Sequence, residues 1–181
     1  MVDEKSLVLV KPDGVSRGLM GEVISRIERT GLKIVGMKLT TANEEIAGEH
    51  YQATEEWSKG VFEKAKVSFE EQGKKFEHKD HKKYGELIQS WNREFLQEGP
   101  VLALIVEGPH AIQIVRKIVG PTDPSKAPPG TIRGDFLFES ASLANEQGRS
   151  LRNLIHASGS VDEAEREIKL WFDEEGFINR K

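Results

Sequence analysis

The stretch Ser6-Leu7-Val8-Leu9-Val10-Lys11-Pro12-Asp13-Gly14 decides how the chain begins its fold. Its compact apolar run predicts a strand, and Pro12 in the following turn bars a simple continuation. Residues 20–29 carry apolar side chains at helical spacing, with Gly31 where a helix C-cap is expected. Residues 32–40 then alternate apolar and polar, which predicts a second strand. The first part of the chain is therefore a β-α-β unit.

A second β-α-β unit is predicted after residue 100. Residues 101–107 do not alternate, so we expect a strand buried on both faces. A helix is predicted from Pro109 to Val119, a proline-rich loop over 121–134, a fourth strand over 135–139 and a last helix over 160–172. Two such units predict an α+β ferredoxin-like sandwich, with helices on one face of a four-stranded antiparallel sheet.

The segment 52–98 between the two units is rich in Lys, Glu and aromatic residues. This composition predicts two or three inserted amphipathic helices with a polar break over 72–80. A short helix through Tyr51 precedes the segment, and Thr41 with Glu44 forms a candidate capping box for it. Another added helical turn is expected over 142–146.

Composition restricts the function classes. The chain has 181 residues, which suits a single domain over 1–181. It has no cysteine, which excludes disulfides and thiolate metal sites, and its net charge of -4 does not favour nucleic acid as a partner. The longest apolar run, over 101–106, is too short for a membrane span, and the N-terminus shows no signal-peptide pattern. We therefore expect a cytoplasmic protein that does not bind a membrane.

His156 is the candidate nucleophile. An imidazole can act in this way when one nitrogen is free and the other is held by an acceptor. Asn153 and Ser158 lie close to it in the sequence, and Glu167 in the following helix is a candidate for orienting the ring. A single histidine carries little weight alone, because most histidines are structural or surface groups.

Cationic and hydroxyl side chains at element ends and in loops suggest a polyphosphate site. They are Lys11, Arg116, Thr122 and Arg133. Fixed donors of this kind suit oxygens that stay charged throughout a transfer reaction. The chain lacks the P-loop pattern, which excludes a P-loop enzyme, and it lacks G-x-G-x-x-G, which disfavours a Rossmann cofactor site.

Taken together, these motifs resemble the nucleoside diphosphate kinase family. The resemblance runs in family order from residue 5 to about 172 and rests on the following stretches: Lys11-Pro12-Asp13-Gly14-Val15, Arg17-Gly18-Leu19, Gly21-Glu22, Gly99-Pro100-Val101, Glu107-Gly108, Gly130-Thr131-Ile132-Arg133-Gly134-Asp135-Phe136, Asn153-x-x-His156-x-Ser158, Ala164-Glu165-Arg166-Glu167-Ile168 and Trp171-Phe172.

The resemblance implies the ferredoxin-like fold and a role for each matching position. His156 would accept the phosphoryl group, in a ping-pong transfer from a nucleoside triphosphate to a nucleoside diphosphate. Neighbours of that group would be Lys11, Tyr51 and Asn153; ligands of the outer phosphates would be Arg116, Thr122 and Arg133; and Ser158 and Glu167 would fix the imidazole. It further implies Mg²⁺ held through the nucleotide phosphates, with no metal ligand from the protein, and a homo-oligomer of four or six subunits.

The chain departs from the family pattern at three places. His156-Ala157-Ser158-Gly159 stands where His-Gly-Ser-Asp is usual, so a carboxylate is missing near the site. The segments 52–98 and 139–152 are longer than in typical members. Candidates for stacking on the base are Trp57, Phe62 and Tyr84, although packing of the added helices is the better expectation for each.

Two other functions compete with the kinase. A ferredoxin-like sheet also occurs in nucleic-acid-binding modules, but the acidic charge balance and the absence of an aromatic-rich RNP-type strand disfavour this class. A catalytically silent relative that acts as an oligomeric regulator is the second alternative. The joint presence of Lys11, Arg116, Arg133, Asn153 and His156 argues against it.

Overall fold

Four antiparallel strands form one sheet in the order β2-β3-β1-β4. In the computed structural model, which describes residues 3–172, the strands are β1 (Glu4–Val10), β2 (Lys33–Thr41), β3 (Pro100–Gly108) and β4 (Ile155–Ala157). The central pair runs from Glu4 opposite Gly108 to Val10 opposite Leu102. This order is that of the ferredoxin-like sandwich and confirms the predicted fold class.

Nine helices and one 3₁₀ turn connect these strands within residues 3–172. They are α1 (Pro12–Ser16), α2 (Met20–Glu28), α3 (Glu44–His50), α4 (Glu55–Glu71), α5 (His81–Gln97), α6 (Ala111–Val119), the 3₁₀ turn (Pro124–Lys126), α7 (Ile132–Phe136), α8 (Ala141–Glu146) and α9 (Val161–Trp171). No helix in this part of the chain is long and apolar enough to cross a membrane.

Helices cover both faces of the sheet, whereas the sequence predicted them on one face only. Side chains of β1 alternate between two apolar cores: Val8 and Val10 pack with α2 and α6, and Leu7 and Leu9 pack with α3, α5 and α9. Each fully buried Val or Leu contributes about 1.5–3 kcal/mol. A shift of one residue would move every side chain of a strand into the opposite core, so the packing of the two cores fixes the register.

The prediction of a fourth strand over 135–139 is wrong. Thr131 Oγ1 accepts a hydrogen bond from the Gly134 amide at 3.1 Å and thereby caps α7, and the fully exposed Phe138 follows. The fourth strand is instead the three residues of β4. The capping box of Thr41 with Glu44 is also wrong, because Asn43 Oδ1 caps α3 by accepting from the Ile46 amide at 2.8 Å.

The inserted segment forms the packed helices α4 and α5, with the break at 72–80 as predicted. Its aromatic side chains pack on one another: the ring centroid of Phe62 lies 5.1 Å from that of Phe76 and 5.9 Å from that of Tyr84. Phe62 and Tyr84 therefore stabilise the pair, which was the favoured expectation. The added turn near 142–146 is α8. The predicted domain 1–181 extends at both ends, over 1–2 and 173–181, outside the described residues.

Candidate active site

β4 carries His156 opposite Leu9 of β1, so its imidazole points to the face covered by α3 and α9. The residue before the strand, Leu154, has a φ of 67° and holds a sharp turn. Its amide donates to Asp13 Oδ2 at 3.0 Å, and its carbonyl accepts from the Lys11 amide at 2.8 Å. These bonds join the start of β4 to the end of β1, which fixes the register of a very short strand.

A buried carboxylate holds the His156 ring. The distance from Nε2 to Glu167 Oε1 is 2.9 Å, and Ser158 Oγ donates to Glu167 Oε2 at 2.7 Å. An ionised carboxylate only accepts hydrogen bonds, so it places the imidazole proton on Nε2. Nδ1 has no hydrogen-bond partner within residues 3–172 and keeps its lone pair. This is the tautomer that a nucleophilic imidazole requires.

The environment also keeps His156 neutral. Burial lowers its pKa well below the ordinary value, and the positive charge of Lys11 adds to this effect. Burial raises the pKa of Glu167, while hydrogen bonding from Ser158 opposes that shift. A neutral imidazole has a free electron pair throughout the physiological pH range, which an ordinary histidine has only above about pH 6.5.

Lys11 lies in the site without an ion pair among the described residues. Its ammonium donates to Asn153 Oδ1 at 2.9 Å, and Asn153 Nδ2 donates to the carbonyl of Thr122 at 3.0 Å. The same ammonium lies 5.7 Å from the ring centroid of Tyr51 and 5.6 Å from that of Phe95. Its surroundings are thus an amide oxygen and two aromatic rings, and its charge stays available to an anion.

Arg133 lies at the N-terminal turn of α7 and is almost completely buried. Its guanidinium donates to three backbone carbonyls, those of Gly120, Asn153 and Ile155. Burial, together with the nearby charge of Arg116, lowers the pKa of Arg133 to about 10, so it remains cationic at neutral pH. A guanidinium has five N–H donors, so two remain for a ligand.

The structure brings the predicted site residues into one cluster. Arg116 projects from α6, and its charge acts on both Arg133 and His156. Thr122 contributes its backbone carbonyl, and its side chain is exposed. The buried Tyr51 hydroxyl has no hydrogen-bond partner in the described part of the chain. Ala157 lies in β4 without a positive φ, so its methyl group causes no backbone strain.

His50 is a site residue that the sequence did not reveal. Its Nδ1 lies 3.7 Å from Glu167 Oε1, and its ring centroid lies 4.5 Å from that of His156. Burial lowers the pKa of His50 well below 6.5, so it is neutral. The one signal in the sequence was that His50 directly precedes Tyr51, a predicted site residue. His50, His156 and Glu167 offer metal-ligand atoms within 4.8 Å, but a metal there would replace the His156–Glu167 hydrogen bond.

Comparison with known proteins matches this arrangement to one family. Residues 4–74 and 66–177 fit the model described as nucleoside diphosphate kinase. The chain belongs to the nucleoside diphosphate kinase family. A nucleoside diphosphate kinase from Pyrobaculum aerophilum is 45% identical over 176 residues, which cover 95% of this chain and 96% of the relative.

Solved structures of nucleoside diphosphate kinases share the fold. A crystal structure of an NDP kinase from Pyrobaculum aerophilum has a TM-score of 0.93 at 42% identity. The match covers 98% of this chain and 100% of the chain in that structure. A nucleoside-diphosphate kinase from Borrelia burgdorferi, described as a transition state mimic with bound vanadate and ADP, has a TM-score of 0.81 at 39% identity. This match covers 100% of this chain and 94% of the chain in that structure. With 98% of this chain aligned, the inserted helices are shared with the P. aerophilum kinase.

Proposed function

We propose that the chain transfers the terminal phosphate of a nucleoside triphosphate, typically ATP, to a nucleoside diphosphate through a phosphohistidine at His156. The observation that carries the proposal is a neutral imidazole with a free Nδ1 beside three cationic side chains. These are Lys11, Arg116 and Arg133, and the charge of each lowers the pKa of His156. Positive charge around a neutral nucleophile suits attack on a polyphosphate.

Transfer proceeds in two half-reactions. Nδ1 of His156 attacks the γ-phosphorus, the bond to the bridging oxygen breaks, and the nucleoside diphosphate leaves with the electron pair. A second nucleoside diphosphate enters, and an oxygen of its terminal phosphate takes the phosphoryl group back. Glu167 keeps the proton on Nε2 in both directions. The reaction depends mainly on positioning and charge, since no acid or base is needed at the phosphorus.

The outer phosphates are assigned to Arg116, Thr122 and Arg133, and the transferred group to Lys11, Tyr51 and Asn153. Support comes from their convergence and from the donors that Lys11 and Arg133 retain. Ammonium and guanidinium groups suit phosphate oxygens, whereas a metal prefers carboxylates. Mg²⁺ would therefore be held by the phosphates of the nucleotide, where it neutralises their charge.

Assembly and location stay predictions. A tetramer or hexamer is implied by the family resemblance alone. A cytoplasmic location is proposed from composition, because a chain without cysteine needs no oxidising compartment. The nucleic-acid-binding and catalytically silent alternatives are not favoured, because the relatives that cover nearly the whole chain are nucleoside diphosphate kinases.

The test is a phosphoenzyme assay. The protein is incubated with ATP labelled at the γ-phosphate, and we expect an acid-labile, base-stable phosphoprotein that GDP discharges. His156→Ala should not label, whereas His78→Ala, a change at an exposed histidine in the break between α4 and α5, should label normally. Absence of label in the wild-type chain, or equal label in His156→Ala, would refute the proposal. Filter binding to RNA tests the nucleic-acid alternative.

A further inference from the structure

Residue 159 is glycine, and a carboxylate from the following helix occupies the space beside it. A Cβ atom at Gly159 would lie 2.7 Å from Glu163 Oε2 and 3.6 Å from an Arg116 guanidinium nitrogen. Gly159 has no positive φ, so its backbone does not require glycine. The missing side chain therefore has a packing reason: it leaves room for Glu163 beside the phosphate-binding cations.

Glu163 is held in place by the turn that follows His156. The Gly159 amide donates to Glu163 Oε2 at 2.7 Å, and the Glu163 amide donates to Ser160 Oγ at 3.2 Å. In a capping box the glutamate would bind the amide of the N-cap residue, here Ser160. Glu163 binds the amide one residue earlier instead, which directs its carboxylate toward the site.

The charge of Glu163 acts on the reacting imidazole. It raises the pKa of His156, against the lowering by burial and by the three cations. The charged and titratable groups around the ring are Lys11 at the end of β1, His50 of α3, Arg116 of α6, Arg133 of α7, and Glu163, Arg166 and Glu167 of α9. Glu167 is already engaged with Nε2 and with Ser158. Glu163 is thus the second carboxylate in this set.

We propose that Glu163 is a positioning residue whose carboxylate, supplied from α9, occupies the space beside Arg116 that a side chain at position 159 would fill. It fixes the turn between β4 and α9 and places a negative charge near His156. The imidazole gains positive charge as Nδ1 bonds to phosphorus, and a nearby carboxylate stabilises that charge. The inference rests on the proposed phosphotransfer through His156.

The first test separates charge from helix capping. Glu163→Gln keeps an oxygen that can accept from the Gly159 amide but removes the charge. Asp162→Asn removes a charge from the exposed neighbour in the same turn. Single-turnover labelling with ATP should slow about tenfold in Glu163→Gln. A tenfold change corresponds to an interaction between the carboxylate and the imidazole that is equivalent to one pKa unit. The ATP concentration for half-maximal rate and the melting temperature should not change. Asp162→Asn should behave as wild type.

The second test moves the carboxylate back. Gly159→Asp alone should slow labelling, because two carboxylates would compete for one space, and Glu163→Ala alone should slow it as well. The double variant Gly159→Asp/Glu163→Ala should recover most of the wild-type rate. A double variant no faster than Glu163→Ala, or a Glu163→Gln that loses only melting temperature, would overturn the inference. Because the wild-type chain must label in the same experiment, failure of the proposed function would be recognised separately.

Discussion

Glu167→Gln tests the link between the buried carboxylate and the nucleophile. Glutamine has nearly the same shape, so its oxygen can accept from His156 Nε2 and its amide can donate to Ser158 Oγ. What is lost is the charge of an acceptor that lies 2.9 Å from Nε2 and is 1% exposed. A hydrogen bond to a charged group contributes about 1.5–3 kcal/mol, which corresponds to roughly ten- to 150-fold in rate.

Rapid-quench measurement of phosphohistidine formation at saturating ATP gives this rate directly. Glu165→Gln, a change at an exposed residue of the same helix, is the matched control and should keep the wild-type rate. We expect the free energy of unfolding of Glu167→Gln to be unchanged or about 1 kcal/mol higher, because a buried charge is replaced by a neutral group of equal size. A rate within twofold of wild type in a folded Glu167→Gln protein would refute the reasoning.

Two further predictions concern stability. Arg133→Lys should lower the free energy of unfolding in urea by about 2–4 kcal/mol, because an ammonium cannot serve three backbone carbonyls and buried acceptors lose their partners; a loss below 0.5 kcal/mol, roughly the scatter of surface substitutions, would contradict this. His50 is neutral when folded but binds a proton below about pH 6.5 when unfolded, so the wild-type chain should lose about 1.4 kcal/mol per pH unit through this group as the pH falls below 6.5. In urea unfolding, the free energy of unfolding of His50→Asn should fall less steeply with pH than that of the wild-type chain, and an equal slope would exclude the effect. Folded Glu167, whose pKa is raised, also takes up a proton as the pH falls, which reduces the slope in both proteins at the acid end.

The sequence predicted the long, regular elements and failed where local chemistry was decisive. β1 and β3 follow from continuous apolar runs, whose bounds shift by only one or two residues. β4 was missed because three residues around a histidine show no periodicity. The segment 135–139 resembled a strand because Phe136, Leu137 and Phe138 form a short apolar run. The cap at Thr131, which starts α7, depends on a single hydrogen bond.

The candidate site divides in the same way. The sequence predicted His156, Lys11, Arg133 and Asn153 because several motifs occur together in a family order. His50 was missed because its contact with Glu167 joins two helices that lie more than 100 residues apart in the chain. Glu163 was missed because its role depends on the shape of the turn after β4, which the spacing of residues 159 and 163 does not specify.

The turn at Leu154 has a consequence for how this part of the chain can vary in evolution. Its amide and carbonyl are tied to Asp13 and Lys11, and His156 follows only two residues later. Insertions before residue 154 are therefore absorbed at the surface, as α8 illustrates, and leave the nucleophile where it was. An insertion or deletion of one residue after Leu154 would instead point the imidazole to the other face of the sheet, into the opposite core. Length variation among relatives should accordingly stop at this turn.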